Sequence, residues 1–458
     1  MMLVSHRGPR RFSVADDGTV QSSRGSGGIA SALLPLLGEE GPPDAWIAAA
    51  IDEGDRAAVA AGAATAPGLD LQLLALDPEQ HRLHYDLVSN ATLWFLHHGL
   101  FDLPRRPRFD RHFREAWDAY VAVNETFAAA VVERADDREV ILVQDYQLAL
   151  VPGFVKARRP DLRVVHFTHT PFCGPNSIRM LPDDVARELC SAMAAVPCGF
   201  HTRRWARAYE ASAREVLGYD GTIEPAFASA LGPDASALAE AAGSAEAAEA
   251  GDALEELVGD RALILRSDRI DPSKNIVRGF LAYDVLLSQH PECRGRVIFV
   301  AMLNSSRESL AEYLAYQQEV ELAAARVNDR WARPDWQPVV VDTRDDYEQS
   351  IAGFARYDVL FVNPVKDGLN LVAKEGPLVN RRDGVVCLSP EAGAFEELGE
   401  AALPVHPYDL DQAAASMHTA LMMGAAERAA RARRLRELAA TRTPRLWLDD
   451  LIAHAGPR

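Results

Sequence analysis

The stretch Val359-Leu360-Phe361-Val362-Asn363-Pro364-Val365-Lys366-Asp367-Gly368-Leu369-Asn370-Leu371-Val372-Ala373-Lys374-Glu375 runs from four apolar residues through a polar turn into a segment of helical character. Four consecutive β-favouring side chains without polar alternation predict a strand buried on both faces, as strands are in a parallel sheet. Gly368 permits a tight turn. From Leu369 onward a helix is predicted, and its free N–H groups suit a phosphate. Asp367 precedes that helix end and Glu375 lies about two turns in. The plainer reading makes Asp367 an N-cap and Glu375 a surface helix residue.

The same order of apolar run, polar turn and amphipathic segment recurs along the chain. Runs lie at Ala45–Ile51, Glu139–Val143, Leu162–Phe167, Ala262–Leu265, Arg296–Met302, Pro338–Val341 and Val385–Leu388, and helical segments at Phe113–Ala135, Ile276–His290 and Arg307–Arg326. This alternation implies an α/β, doubly wound architecture. At 458 residues the chain exceeds one ordinary core, so two domains of roughly 200 residues each are expected. An Ala/Glu-rich stretch with interspersed Gly, read as a surface helix or a linker, ends just before the Ala262–Leu265 strand. We therefore expect a first domain over 1–235, a linker over 236–258 and a second domain over 259–440. The tail 441–458 carries Leu446, Trp447, Leu448, Leu451 and Ile452, an apolar set expected to pack back on the first domain.

The formal charge is −18, and 48% of residues are hydrophobic. An acidic surface argues against nucleic acid or an anionic membrane as partner. Met1–Arg10 lacks the apolar run of about seven residues that a signal peptide needs. No apolar run of about 18 residues occurs to span a membrane, so a cytoplasmic location is expected. Five cysteines without a CxxC pair or zinc-spaced histidines read as reduced thiols. No metal and no cofactor is expected, and a homo-oligomer stays open.

Four further segments carry polar residues at strand ends. Ser23-Arg24-Gly25-Ser26-Gly27-Gly28 lies between an opening strand around Leu3–Ser5 and an expected helix over Ile29–Leu37, and reads either as a phosphate-approaching turn or as a flexible one. Arg266-Ser267-Asp268-Arg269-Ile270-Asp271-Pro272-Ser273-Lys274-Asn275 follows the Ala262–Leu265 strand. Arg269 and Lys274 suit a diphosphate there, or make salt bridges to Asp268 and Asp271 in a solvated loop. Gln144-Asp145-Tyr146-Gln147 and His166-Phe167-Thr168-His169 end two successive strands, so Asp145 and His169 converge on one crevice.

With these loops in this order, and with DGLNLVAKE as the most specific part, the chain resembles the trehalose-6-phosphate synthase family, retaining GT-B glycosyltransferases of family 20, from about Arg7 to about Asp409. The resemblance implies two facing Rossmann-like domains with the active site in the cleft between them. It implies transfer of glucose from a nucleotide-glucose, UDP- or GDP-glucose as substrate, onto glucose 6-phosphate. Arg269 and Lys274 then bind the donor diphosphate, and Asp367 holds hydroxyls of the moving sugar. The backbone of Gly368, Leu369, Asn370, Leu371 and Val372 meets sugar and phosphate, Glu375 takes the ribose, and Gly28 and His169 complete the donor side. Arg7, Tyr85, Trp94, Asp145 and Arg307 correspond to the acceptor side.

Four positions depart from the family pattern. His6 replaces Asn in the early SNR triplet, Gln144 and Gln147 replace two His in HDYHL, and Ala49 replaces the second of two tryptophans of which Trp46 remains. These departures fall on the acceptor side. They leave room for a pseudoglycosyltransferase of the validoxylamine type that joins cyclitol units, against which the intact DGLNLVAKE argues. From another class, a non-catalytic sugar-phosphate-binding regulator is the remaining alternative.

Overall fold

The computed structural model describes residues 1–15, 19–24, 33–37, 44–137, 139–218 and 223–456. The chain forms two units, Met1–Ala230 with Pro444–Arg458, and Leu231–Thr443.

In the first unit the strands are β1 (Met2–Val4), β2 (Arg10–Val14), β3 (Val20–Arg24), β4 (Ala45–Ala49), β5 (Asp70–Leu74), β6 (Val140–Gln144), β7 (Arg163–Thr168), β8 (Cys198–Phe200) and β9 (Ala226–Ala228). Seven of them form a parallel sheet in the order β5-β4-β1-β6-β7-β8-β9, and β2 with β3 makes a separate antiparallel hairpin. Every residue of β1, β4 and β6 is buried, as expected of strands covered on both faces. Leu3 lies between Trp46 of β4 and Leu142 of β6. The chain winds outward through β4 and β5, then returns to lay β6 on the other flank of β1. The order therefore reverses between β1 and β6, and open α/β sheets bind ligands beyond the carboxyl ends of strands at such a point. Arg7 follows β1 and Asp145 follows β6.

Two helices of this unit bear on function. Residues 78–98 form one helical rod whose middle, Leu83–Trp94, is wound as a π-helix. Ser89 and Thr92 donate their hydroxyls five residues back, to the carbonyls of His84 and Leu87, both at 2.8 Å. A π-helical stretch of this length is rare and concentrates at functional sites, and this one carries both Tyr85 and Trp94. The helix α1 (Arg111–Arg134) begins after Asp110, whose carboxylate accepts from the Phe113 N–H. Phe113, Trp117, Tyr120, Phe127 and Val131 form its buried stripe.

The second unit opens with α2 (Ala235–Ala241) and α3 (Ala245–Val258), capped by Asp234 and Ser244. The expected linker over 236–258 is thus two helices, tied to the second unit by Arg356 on Glu255 at 2.8 Å and Arg381 on the Ala242 carbonyl at 2.9 Å. The Ala/Glu composition, which read as a surface helix or a linker, is strongly helix-favouring, and Leu238, Ala247, Leu254 and Val258 are buried. The strands are β10 (Ala262–Arg269), β11 (Val297–Asn304), β12 (Val339–Asp342), β13 (Val359–Val362), β14 (Val385–Leu388) and β15 (Leu403–Pro404), parallel in the order β12-β11-β10-β13-β14-β15. Here the reversal falls between β10 and β13, the strands that precede the two richest loops.

Its helices include α4 (Ile276–Gln289), α5 (Ala311–Trp331), α6 (Val372–Val379) and α7 (Leu410–Met422). The helix expected from Arg307 starts instead at Ala311, because Arg307 has a positive φ of 47° that no helix accommodates. The tail forms α8 (Pro444–His454) in the first unit, where Trp447 packs edge-on against Phe167 with centroids 5.0 Å apart. Leu446, from the same apolar set, is exposed. Of the expected helix over Ile29–Leu37, Leu34–Leu36 is a short 3₁₀ turn, and residues 29–32 lie outside the described residues. Among the described residues no helix is long and apolar enough to cross a membrane.

Candidate functional site

The second unit's half is ionic. β10 delivers Arg269, and a 3₁₀ turn at Pro272–Lys274 turns the chain into α4. The Lys274 ammonium lies 2.6 Å from Asp367 and 3.8 Å from Asp268. Arg269 lies 3.0 Å and Arg307 3.4 Å from Asp271, so one carboxylate gathers two guanidinium groups from different loops. The salt bridges that the plainer sequence reading proposed are therefore present, and they hold the cations as a cluster at the carboxyl ends of β10 and β13. Burial opposes the charge on Lys274, but Asp367 and Asp268 outweigh it and its pKa rises above the usual lysine value. Burial likewise opposes ionisation of Asp271, and Arg269, Arg307 and Lys274 overcome it, so its carboxyl drops to about 2. Asp268, more weakly compensated, is pushed up by burial.

A residue not singled out from sequence locks this half together. Arg266 is fully buried, donates to the Lys274 carbonyl at 3.2 Å and to the Asn363 side chain, and lies 3.7 Å from Asp268. Asn275, at φ 62°, donates to the Asn363 and Pro407 carbonyls at 3.0 and 2.7 Å. The Val365 N–H reaches the Ser273 carbonyl at 2.9 Å. The loops after β10 and β13 are thus one hydrogen-bonded body.

The loop from Asp367 departs from expectation in register. The helix begins at Val372, not Leu369, and Glu375 is in its first turn. The capping side chain is Asn370, at φ 75°, which accepts from the Ala373 N–H at 3.2 Å. Asp367 instead accepts from the Leu369 N–H at 3.3 Å and from the Asn370 side chain at 3.2 Å. Its carboxylate thereby shapes the turn of Gly368, Leu369, Asn370 and Leu371 while holding Lys274. The turn leans on the β14 loop, where the Ala394 N–H donates to the Leu369 carbonyl at 2.7 Å. Gly393 is required there, since a Cβ would meet the Gly368 carbonyl oxygen at 2.0 Å. Glu375 is half-buried, and burial alone lifts its carboxyl to about 7.

The first unit's half is built largely of rings and neutral polar groups, with Asp145 and Arg7 as its charged members. Asp145 has φ 69° and accepts from the His169 N–H at 3.1 Å. His169 lies between Gln144, whose amide oxygen is 2.9 Å from Nε2, and His201, whose Nε2 is 3.1 Å from Nδ1. With an amide oxygen on Nε2, that nitrogen carries the proton and Nδ1 accepts from His201. Burial pulls His169 down to about 3, so it stays neutral and serves as a hydrogen-bonding group. Arg7 is exposed and donates to the Tyr85 hydroxyl at 3.5 Å. Trp94 is buried and stacks on His98 with centroids 4.1 Å apart. Trp46 is also buried, and its N–H holds Ser5 Oγ at 2.8 Å, bracing the turn before Arg7. Gly28 lies outside the described residues.

Sequence reasoning missed Arg266 and Asn275, which sit inside a quoted motif but act as braces, whereas Asp271 is the salt-bridge partner that the plainer reading named. It also missed His81, His84 and His201, which reach the site from distant segments. One signal unites both halves. Five described non-glycine residues have positive φ, and four of them, Asp145, Asn275, Arg307 and Asn370, are in the candidate loops. Strain of this kind persists where surrounding structure over-determines it, commonly at functional sites.

Comparison with known proteins identifies the family. The model of glycosyltransferase family 20 matches residues 1–456. The trehalose-6-phosphate synthase of Mycolicibacterium smegmatis is 30% identical over 99% of this chain and 92% of its own length. A bifunctional trehalose-6-phosphate synthase/phosphatase of Thermoproteus tenax is 30% identical over 84% of this chain, which spans about half (53%) of that protein's length. Among solved structures, the E. coli enzyme bound with UDP-2-fluoro glucose superposes with TM-score 0.85 at 25% identity, covering 100% of both chains. A Burkholderia xenovorans α,α-trehalose-phosphate synthase in complex with glucose 6-phosphate superposes with TM-score 0.84 at 27% identity, covering 99% of both. The two parallel α/β units are those of the GT-B fold, and the chain belongs to glycosyltransferase family 20.

Proposed function

We propose that this chain moves glucose, with retention of the α configuration, from a nucleotide-glucose onto glucose 6-phosphate to give α,α-trehalose 6-phosphate, and that it does so in the cytoplasm. The observation that carries the reading is the Lys274–Asp367 pair at 2.6 Å, with Arg269 in the same loop, where the strand order of the second sheet reverses. A nucleotide-sugar needs cations on its diphosphate and a hydroxyl acceptor on its sugar. Lys274 and Arg269 supply the first and Asp367 the second, all in a body that Arg266 and Asn275 hold fixed. The relatives that bind a UDP-sugar or glucose 6-phosphate support the same assignment.

In the chemistry this implies, the acceptor hydroxyl attacks the face from which the nucleotide departs. The bond from the anomeric carbon to the β-phosphate oxygen breaks as the new glycosidic bond forms, and the departing phosphate oxygen takes the hydroxyl proton. Negative charge grows on the diphosphate. Lys274 and Arg269 are already fixed by their carboxylates, so they stabilise that charge without reorganising, the most effective form of electrostatic catalysis. Glu375, when ionised, accepts from the ribose hydroxyls.

The test is a matrix of UDP-, GDP- and ADP-glucose against glucose 6-phosphate, glucose and a cyclitol phosphate, with anomeric NMR of the product. A phosphorylated non-reducing disaccharide with both anomeric centres α is expected. No product with any donor, or a β linkage, sinks the reading. Turnover only with the cyclitol phosphate moves the chain to the pseudoglycosyltransferases. Nucleotide release that depends on acceptor and disappears in Arg269→Ala excludes a non-catalytic regulator.

A further inference from the structure

We propose that His6 and His81 form a flat imidazole pair that positions Tyr85 for the phosphoryl end of the acceptor, making His6 a positioning residue for acceptor choice. The inference rests on the acceptor reading above.

The two Nε2 atoms are 2.9 Å apart, the ring planes differ by 2°, and the centroids are 5.1 Å apart. That combination is what a linear, in-plane N–H···N bond between two five-membered rings produces, so the pair is one plate and not a face-to-face stack. Tyr85 lies parallel to it, 6° from His6 at 4.5 Å and 5° from His81 at 5.8 Å, the offset arrangement that aromatic rings prefer. The phenol thus has a broad flat support under its ring, while its hydroxyl receives Arg7 at 3.5 Å. Tyr85 and His81 ride on the helical rod 78–98, whereas His6 and Arg7 leave β1. The plate is therefore the link that registers the π-helix against the turn carrying the phosphate-binding arginine.

The bond needs neutral imidazoles, one giving its proton and one accepting. Burial takes His6 well below the usual histidine value, reinforced by His84, His81 and Arg7. Burial lowers His81 too, with Asp86 opposing and Arg56 assisting. Both rings are neutral near pH 7. The Ala49 N–H donates to the His6 carbonyl at 3.1 Å, which ties the backbone of position 6 to the end of β4. An amide there matches the hydrogen bond but not the plate.

The experiment pairs steady-state kinetics with NMR on the full chain. In wild type, the ring N–H of the pair gives a downfield proton resonance that disappears in both His6→Phe and His81→Phe. With glucose 6-phosphate as acceptor, His6→Ala and His81→Phe raise its KM about tenfold, the scale of one hydrogen bond with a ring contact, while the KM for the nucleotide-sugar moves less than about twofold. The preference for glucose 6-phosphate over glucose falls by the same factor. His6→Phe, which restores a ring without the N–H, recovers part of the loss, and His6→Asn recovers less. A resonance that persists in the single variants, or an acceptor KM unchanged in a folded His81→Phe, overturns the proposal alone. Wild type that shows the resonance yet binds no sugar phosphate by calorimetry overturns the acceptor reading, and this inference with it.

Discussion

The two half-sites solve the same problem, fixing polar groups at the carboxyl ends of parallel strands, with opposite materials. In the second unit Asp271 alone gathers Arg269 and Arg307, and Lys274 is shared between Asp367 and Asp268. In the first unit the ring contacts are uncharged, with the His169 imidazole between Gln144 and His201, and Tyr85 on the imidazole plate. Paired charges hold their positions strongly but tolerate few replacements, because removing one strands the other in a buried place. Neutral ring contacts are individually weaker and exchange more freely. The difference teaches which set of contacts in this chain tolerates replacement and which does not.

The largest effect should come from breaking the ionic half. Lys274→Met removes the cation nearest the expected leaving group and leaves Asp367 uncompensated. The kcat is expected to fall by about 10²–10³-fold, the usual loss for one preorganised donor to a developing anion. The KM for the acceptor should move little, and a Lys274→Met enzyme that keeps kcat while losing only acceptor affinity reverses the roles of the two halves. Gly393→Ala probes the same half without touching charge. Its methyl collides with the Gly368 carbonyl, backbone against backbone, so the turn from Asp367 must shift. Overpacking of this kind costs about 1–3 kcal/mol. We expect a lower melting temperature and a donor KM raised about tenfold. An unchanged donor KM means that the turn does not meet the donor.

The unequal legibility of the halves follows from the same contrast. The strand Val359–Val362 and the loop that follows were readable because a buried parallel strand writes itself as an unbroken apolar run, and because charged residues in a short loop are few. The braces were harder to see. Arg266 reads as one more basic residue in a basic loop, and only burial shows that its guanidinium joins three segments. His81 is 75 residues from His6, and it sits one turn before the π-helical stretch that carries Tyr85, a winding with no periodicity that a 3.6-residue count detects. The helix start was misplaced by three residues because Asn370, at φ 75°, caps from inside the apparent helical run. Tertiary contacts decide these points, and local pattern does not carry them.

Glu375 sharpens the comparison through pH, since it is a carboxyl of the ionic half without a cation on it. Burial raises its pKa from the usual 4.5 to about 7. The unfolded chain therefore loses this proton first as pH rises. The group costs nothing below about 4.5, costs progressively more stability through the window from 4.5 to 7, and costs the full amount above it. Glu375→Gln should accordingly gain in melting temperature relative to wild type as pH rises from 4.5 to 7. With Glu375 in the proposed ribose-binding role, donor affinity in wild type should improve about tenfold between pH 6 and 8, as the ionised fraction does for a pKa near 7. In Glu375→Gln that pH dependence should be flat. A flat wild-type profile removes Glu375 from the donor contacts.

The smallest effect tests whether every departure on the neutral half matters. Gln147 stands where the family has histidine, yet its recorded role belongs to the backbone. Its carbonyl accepts from His84 Nε2 at 2.8 Å and from the Asn124 amide at 3.2 Å, tying the π-helix and α1 to the loop after β6. Any side chain at 147 supplies that carbonyl. Gln147→His should therefore stay within about 0.5 kcal/mol of wild type in stability, with acceptor KM changed less than twofold. Gln144→His is different, because it replaces an amide oxygen that only accepts with a nitrogen that can take either role. That removes the constraint on which His169 nitrogen carries the proton, and thermal melts with acceptor and donor KM values measured on both variants separate the two positions. If Gln147→His shifts acceptor choice as strongly as changes at His6, the neutral half reads its substrate through this side chain as well, and the division between backbone braces and ring contacts drawn for it fails.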